Sequence, residues 1–344
     1  MRRDVCPTIR AGAMVTAAVM GALLMGSARR SYAGAPRDGG RFVNLVGSRP
    51  QPGLADWFPF LLRKGWTTLV RRDGAAKRVA YDAAALTHNP SVTWIGHATL
   101  LVRMDGVTFI TDPMFSERAS PVSFAGPQRL VEPGVPLEAL PPLDFATLSH
   151  DHYDHTDVAS VAALAARGVP FFVPLGLGDL VREVGGSATE LDWWQEARVG
   201  RVRIVCVPAQ HFSGRSLSDG NRRLWAGWVV AGPTRRFYHA GDTGYFDGFR
   251  DIGNRLGPFD LAAVPIGAYA PASIMQFVHM NPEEAIQAAI DLRATTAVGM
   301  HYGTFDLTDE APDEPPRRFH AEASRRALEP VAAWTLDVGE TRDW

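Results

Sequence analysis

One run of six residues constrains this chain more than any other feature: His150-Asp-His-Tyr-Asp-His155. It follows directly on the apolar stretch Phe145-Ala-Thr-Leu-Ser149, whose composition predicts a buried strand. Three imidazoles and two carboxylates at the end of such a strand are costly to desolvate unless a cation gathers them. His150 and His152 are two apart, so on an extended chain they project to the same side. Asp154 and His155 turn toward a second position as the chain enters a helix. One metal ion then takes two nitrogens from the run, and its neighbour takes an oxygen and a nitrogen. A tetrahedral or five-coordinate zinc needs more, and the remaining ligands must come from distant segments.

Three residues qualify, each at the carboxyl end of a predicted strand: His211, Asp242 and His301. Asp242 is the only carboxylate among them and is suited to bridge two cations, at the roughly 3.5–4 Å spacing of two-metal hydrolases. His211 then completes the first site and His301 the second. Strand-like runs are read at 92–95, 100–103, 107–111, 145–149, 171–173, 202–207, 225–231, 237–240, 261–265 and 296–300. Helical patterns are read at 158–167, 178–184, 282–293 and 316–328; Asn281 caps the third, with Pro282 in its first turn and Glu283 and Glu284 complementing its dipole. Strands come first as hairpin-like pairs and later alternate with helices. That order predicts an α/β protein of two sheets with helices outside, not a regular parallel barrel. The acidic, proline-rich stretch 309–316 reads as a loop.

Of 344 residues 46% are hydrophobic and 21% charged, which suffices for a large core. Arg2, Arg3 and Arg10 precede an apolar stretch at 11–25 and an Ala33-x-Ala35 pattern, so residues 1–35 are expected to be a secretory signal peptide. The alternative is an inner-membrane anchor at 11–26. Either places the protein in the periplasm or cell envelope. Removing the leader leaves 30 basic against 36 acidic side chains, a net charge of −6, which argues against nucleic acid as a partner. Cys6 leaves with the leader and Cys206 remains alone, so no internal disulfide is expected. Residues 36–90 read as an irregular extension and 91–344 as the catalytic domain. Within the extension Trp57, Phe58, Phe60 and Trp66, flanked by Arg63, Lys64, Arg71 and Arg72, read either as packing over the core or as a peripheral membrane contact. The sequence leaves the oligomeric state open.

The metal-ligand spacing, together with Trp94-Ile-Gly-His-Ala-Thr99, Asp112-Pro113, Pro208-Ala-Gln-His211, Gly241-Asp-Thr-Gly-Tyr245, Gly257-Pro-Phe-Asp260, Pro265-Ile-Gly-Ala-Tyr269, His279-x-Asn-Pro-Glu-Glu-Ala285 and His301-x-Gly-Thr-Phe305, resembles the metallo-β-lactamase superfamily. Within it these blocks look like the N-acylphosphatidylethanolamine-hydrolysing phospholipase D branch. The resemblance spans about 91–316. It implies an αββα sandwich with two Zn2+, or other divalent ions, at one edge. It also implies a phosphodiesterase in which a metal-bridging hydroxide attacks the phosphorus of a phospholipid. Two positions depart from the mammalian pattern: Tyr302 stands where those enzymes carry Trp, and Val278 where they carry a polar amide. The second places the phospholipid preference in question.

The expected metal ligands are thus His150, His152, His211, Asp242, Asp154, His155 and His301, with Asp154, Asp242 and His279 as catalytic groups. His279 either meets the phosphate and leaving alkoxide or merely fixes the start of the Asn281 helix. Arg215 either clamps a phosphate or pairs with Asp219, and Tyr269 lines the cavity. His97 supports a ligand or the fold, and Asp112 either orients a ligand imidazole or serves a turn. His88, His239 and His320 are read as solvent or core groups. The alternative activity is a lactonase or carboxylic-ester hydrolase, since a metal pair polarises a carbonyl as readily. The alternative class is a non-catalytic zinc-holding envelope protein.

Overall fold

The computed structural model describes Met1 and residues 34–45, 74–216, 218–326 and 331–344. Residues 2–33 of the leader expected at 1–35, and the aromatic segment 57–66, lie outside the described residues. The first described strands, β1 (Arg37–Asp38) and β2 (Arg41–Phe42), form a small hairpin. Phe42 at its end is buried in the main core. The rest builds two mixed sheets of seven strands each.

The first sheet is ordered β16 (Thr341–Asp343), β3 (Ser91–Gly96), β4 (Thr99–Met104), β5 (Val107–Thr111), β6 (Phe145–Thr147), β7 (Phe171–Pro174) and β8 (Ala188–Leu191). Its central strands β3 to β7 are buried on both faces because both are covered. Trp94, Leu100, Val102, Phe109 and Phe145 point into the core shared with the second sheet. Their neighbours Ile95, Leu101, Ile110 and Ala146 point the other way. There they meet Val161 and Leu164 of α1 (Val158–Ala166) and Val181 of α2 (Gly178–Glu183).

The second sheet is ordered β15 (Ala332–Trp334), β14 (Ala294–Met300), β13 (Phe259–Pro265), β12 (Arg236–His239), β11 (Gly227–Ala231), β10 (Val202–Val207) and β9 (Glu196–Val199). Outside it lie α3 (Gly248–Leu256), α4 (Ala272–Met275), α5 (Pro282–Asp291) and α6 (Glu314–Arg325), with α5 against β13 and β14. The Asn281 cap forms a full capping box with Glu284. The result is an αββα sandwich.

Each sheet begins antiparallel and ends parallel. Two antiparallel pairings turn β3 to run with β5 and β6, and β10 to run with β12, β13 and β14. The carboxyl ends of each set therefore open at one end of its sheet. In open α/β folds this end is where ligands bind.

The structure adds elements the patterns did not announce. Strands β8 and β9 carry charges and half-exposed residues because they are sheet edges, and at four residues each they are too short to stand out as strands in the sequence. Helix α3 contains Gly248 and Gly253, which weaken the helical signal. The last helix begins at Glu314, inside the stretch expected to be loop. Among the described residues no helix is long and apolar enough to cross a membrane.

Candidate metal centre

The run 150–155 leaves β6 as a tight loop and ends at α1, whose N-cap Asp157 accepts a hydrogen bond from the Ala159 amide. Within it the structure brings together two sets of donors. His150 Nε2 lies 2.9 Å from His152 Nδ1, and His211 Nε2 lies 3.2 Å from the same nitrogen. Asp242 Oδ2 closes this set at 3.9 Å from His150 Nε2 and 3.8 Å from His211 Nε2. In the second set, Asp242 Oδ2 is 3.1 Å from His155 Nε2 and Asp242 Oδ1 is 3.1 Å from His301 Nε2. Asp154 Oδ2 lies 3.6 Å from His155 Nε2 and 3.5 Å from His301 Nε2. Asp242 belongs to both sets.

These separations fit metal ions. Ligands about 2.0–2.1 Å from a tetrahedral zinc stand roughly 3.3 Å from one another. Several donors also have no other use: His155 Nε2, His301 Nε2 and Asp242 Oδ1 are buried without a hydrogen-bond partner among the described residues. Electrostatics point the same way. Burial opposes ionisation of Asp154 and Asp242, yet His155 and its neighbours hold both well below the usual carboxylate range. Burial likewise opposes a charge on His301, but Asp242 and Asp154 overcome it and hold the imidazole at about 9. Two buried carboxylates thus call for positive charge at the point where the nitrogens converge. Burial keeps His150 and His211 well below the ordinary histidine value, neutral and ready to ligate.

The other ring nitrogens are held by protein. His155 Nδ1 donates to Asp112 Oδ2 at 2.8 Å, and His211 Nδ1 donates to the Val278 carbonyl at 2.9 Å. His150 Nδ1 is 2.9 Å from Ser149 Oγ, whose hydroxyl donates to Asp112 Oδ2 at 2.6 Å. Buried Asp112 therefore orients one imidazole directly and another through Ser149, which turns their Nε2 atoms to the point where the donors converge. His97 Nε2 donates to Asp154 Oδ2 at 2.9 Å, so it braces a ligand. His97, Asp112 and His301 all have positive φ, at 53°, 36° and 65°. Such strain in residues other than glycine gathers where function demands a fixed geometry. Gly241 precedes Asp242 at φ 59°, and a Cβ there would stand 2.5 Å from Ser149 Cβ. Only glycine lets these two strand ends approach so closely.

His279 stands at the mouth, its Nδ1 3.9 Å from Asp242 Oδ2 and without a hydrogen bond among the described residues. Burial pulls its pKa down to about 4. With Tyr269 it lines a cavity of about 430 Å³, alongside Glu310, Glu314 and Arg318. Tyr269 Oη donates to Glu314, and Arg318 sits 4.8 Å over its ring.

Arg215 corrects the expectation that it clamps a phosphate. Its Nη1 donates to the carbonyls of Asp151 and Thr156, and its guanidinium lies 3.9 Å over the Tyr153 ring. Nor does the guanidinium pair with Asp219, which takes the Arg215 backbone amide. It braces the metal loop because carbonyls at the loop's two ends fall within its reach. Val278 likewise does not line the cavity; its side chain is fully buried, and its carbonyl holds His211. Tyr302 stacks on Trp94 at 4.8 Å. His239 is a core group bonded to the Ala98 carbonyl, His88 pairs with Asp343 at the surface, and His320 contacts Thr335.

Three supports escaped the sequence. Asn44 exchanges hydrogen bonds with the His211 backbone across 167 positions. Asp151, inside the motif, accepts from the Gly214 amide and Arg223 and so pins the metal loop from outside. Ser149 relays Asp112 to His150. The position of Asp151 within the motif was the one available signal.

Residues 108–302 match the family described as the beta-lactamase superfamily domain. The chain belongs to that superfamily. It is a metal-dependent hydrolase, as its relatives are named. It is 41% identical over 325 residues to an N-acyl-phosphatidylethanolamine-hydrolyzing phospholipase D of Caenorhabditis elegans, covering 87% of this chain and 89% of that protein. It is 31% identical over 253 residues to a metal-dependent hydrolase of an Anaeromyxobacter strain, covering 70% and 84%. A solved metallo hydrolase of the archaeon Ignicoccus hospitalis shares the fold at a TM-score of 0.56 and 23% identity, covering 73% of this chain and 97% of that one.

Proposed function

We propose that this superfamily member is a zinc phosphodiesterase of the phospholipase D type acting on N-acylphosphatidylethanolamine-like lipids. The observation that carries the reading is Asp242, whose carboxylate lies 3.9 Å and 3.8 Å from His150 and His211 on one side and 3.1 Å from both His155 and His301 on the other, in a chain with 41% identity to the worm phospholipase. His150, His152 and His211 would hold one zinc, and Asp154, His155 and His301 the other, with Asp242 between them. Bound there, two zincs supply an activated water at neutral pH and neutralise charge on the phosphodiester.

The chain's own groups do the rest. Asp112, Ser149 and His97 keep the ligands oriented through turnover, so little reorganisation accompanies the reaction. His279 presents its unpartnered Nδ1 to the reacting group from the open side of the site. Water adds across the P–O bond to the headgroup, and the products are phosphatidic acid and the N-acylethanolamine. The leader supports an exported protein, which N-terminal sequencing of the envelope form tests.

The deciding experiment incubates the zinc-loaded enzyme with N-acylphosphatidylethanolamine and, separately, a long-chain lactone, with and without chelator, and follows products by mass spectrometry. Chelator-sensitive release of N-acylethanolamine is expected. Lactone opening without phosphodiester cleavage would replace this reading with the ester-hydrolase one.

A further inference from the structure

Among the described residues, large apolar side chains that stand out in solvent are rare. Apart from Met1, the exposed ones among the described residues are Phe124 at 82%, Val122 at 37% and Val158 at 36%. They gather in one place. Val122 and Val158 line a cavity of about 490 Å³ whose wall also includes Tyr153, the residue between ligands His152 and Asp154, and Phe124 is next to its lining residue Ser123.

The loop that carries Val122 and Phe124 is a built protrusion. Its base is closed by an antiparallel bridge between Arg118 and Gln128 and by the Ala119 amide on the Pro127 carbonyl. Below that, Asp157, the N-cap of α1, accepts from Ser116 N at 3.0 Å and Ser116 Oγ at 2.9 Å. Residues 121–126 are all exposed, and the ten residues 119–128 contain no charge. An uncharged apolar tip on a rigid stem can be desolvated without burying an ion.

We infer that loop 119–128, with Val158 beside it, is a docking surface for the interfacial zone of a phospholipid bilayer, and that it seats the cavity at Tyr153 against the membrane. The inference rests on the lipid reading above and adds where the enzyme meets its lipid. A second protein copy fits less well. One Phe buries about 150–250 Å², and with Val122 and Val158 the patch falls short of the roughly 600–800 Å² that each partner buries in a stable interface. A bilayer needs only insertion of the tip. Glu117 and Arg118 at the base cancel in charge, so docking here is hydrophobic and depends little on anionic lipid or salt.

The test is flotation of the full-length zinc enzyme with phosphatidylcholine vesicles, with and without phosphatidylglycerol, comparing wild type, the double variant Val122→Ser/Phe124→Ser, and Phe124→Trp. The double variant is expected to lose about tenfold in vesicle affinity, a factor equal to roughly 1.4 kcal/mol, while Phe124→Trp keeps it. Turnover of a soluble short-chain phosphodiester should be unchanged in both, which also shows that they fold. Equal flotation of wild type and double variant overturns the proposal, as does wild-type binding that requires phosphatidylglycerol and collapses in salt. A wild-type dimer that the double variant converts to monomer overturns it too, in favour of self-association. If wild type floats as expected yet releases no N-acylethanolamine, the docking surface stands and the substrate reading falls.

Discussion

The two sheets load the metal centre in opposite ways. The first sheet delivers His150, His152, Asp154 and His155 from one short loop after β6, whereas the second delivers His211, Asp242 and His301 singly, after β10, β12 and β14. A loop has no ladder to hold it, and this one is pinned from outside by Asp112, Asp151, Arg215 and the His97 contact. The single donors leave strands already fixed by sheet register and by a core of Trp228, Val205, Val264 and Val298. Concentrating ligands in one loop makes the site conspicuous in sequence but dependent on its braces. Spreading them over strand ends leaves each without donor neighbours in sequence, so that its place at the end of a predicted strand is the signal, and lets the sheet hold it.

The sharpest way to break that contrast is Asp242→Ala, which removes the one donor common to both sets. Elemental analysis should find metal reduced at both sites, with kcat/KM down by at least the ~10²–10³-fold typical of losing one preorganised electrostatic group. Next is Asp112→Ala, which frees His155 and, through Ser149, His150. It should cost 10–100-fold in metal affinity by chelator competition, a range typical of groups that orient ligands. If it left metal affinity unchanged, the loop would not need its braces.

Arg215→Met should be milder and different in kind. It leaves two loop carbonyls without their donor, worth about 1–3 kcal/mol each where buried. Lower thermal stability and weaker metal retention are expected, with KM for the phosphodiester unchanged; a large rise in KM alone would restore the phosphate-clamp reading. The smallest effect falls on the second sheet. Asn44→Ala removes the polar clamp on the His211 backbone, and a loss of about 1 kcal/mol by denaturant titration is expected, with metal stoichiometry kept because β10 still holds His211.

Much of this was legible in the chain. The buried strands announced themselves by apolar runs, the Asn281-Pro282-Glu284 signal marked the start of α5, and the density of donors at 150–155 pointed to metal. What stayed hidden were groups whose sequence signal is ordinary. Asn44 looks like any loop asparagine, and Ser149 like the end of a strand. Arg215 reads equally as a phosphate clamp or a partner of Asp219, because a free guanidinium and a bracing one are identical in sequence. The edge strands β8 and β9 are four residues each and carry the charges that a sheet edge favours, so neither offers the apolar run by which strands are read.

Local chemistry, then, was determined by the sequence alone: which atoms can bind a cation, which runs must be buried, and where a helix can begin. These depend on neighbours within a few positions, where spacing dictates direction. Only the tertiary structure decided that Asp242 lies between both donor sets, that Asp112 serves two imidazoles, and that Asn44 meets His211. Those meetings depend on strand order and register across separations of 37 positions for Asp112 and Ser149 up to 167 for Asn44 and His211, and periodicity within a strand says nothing about which strand will lie beside it.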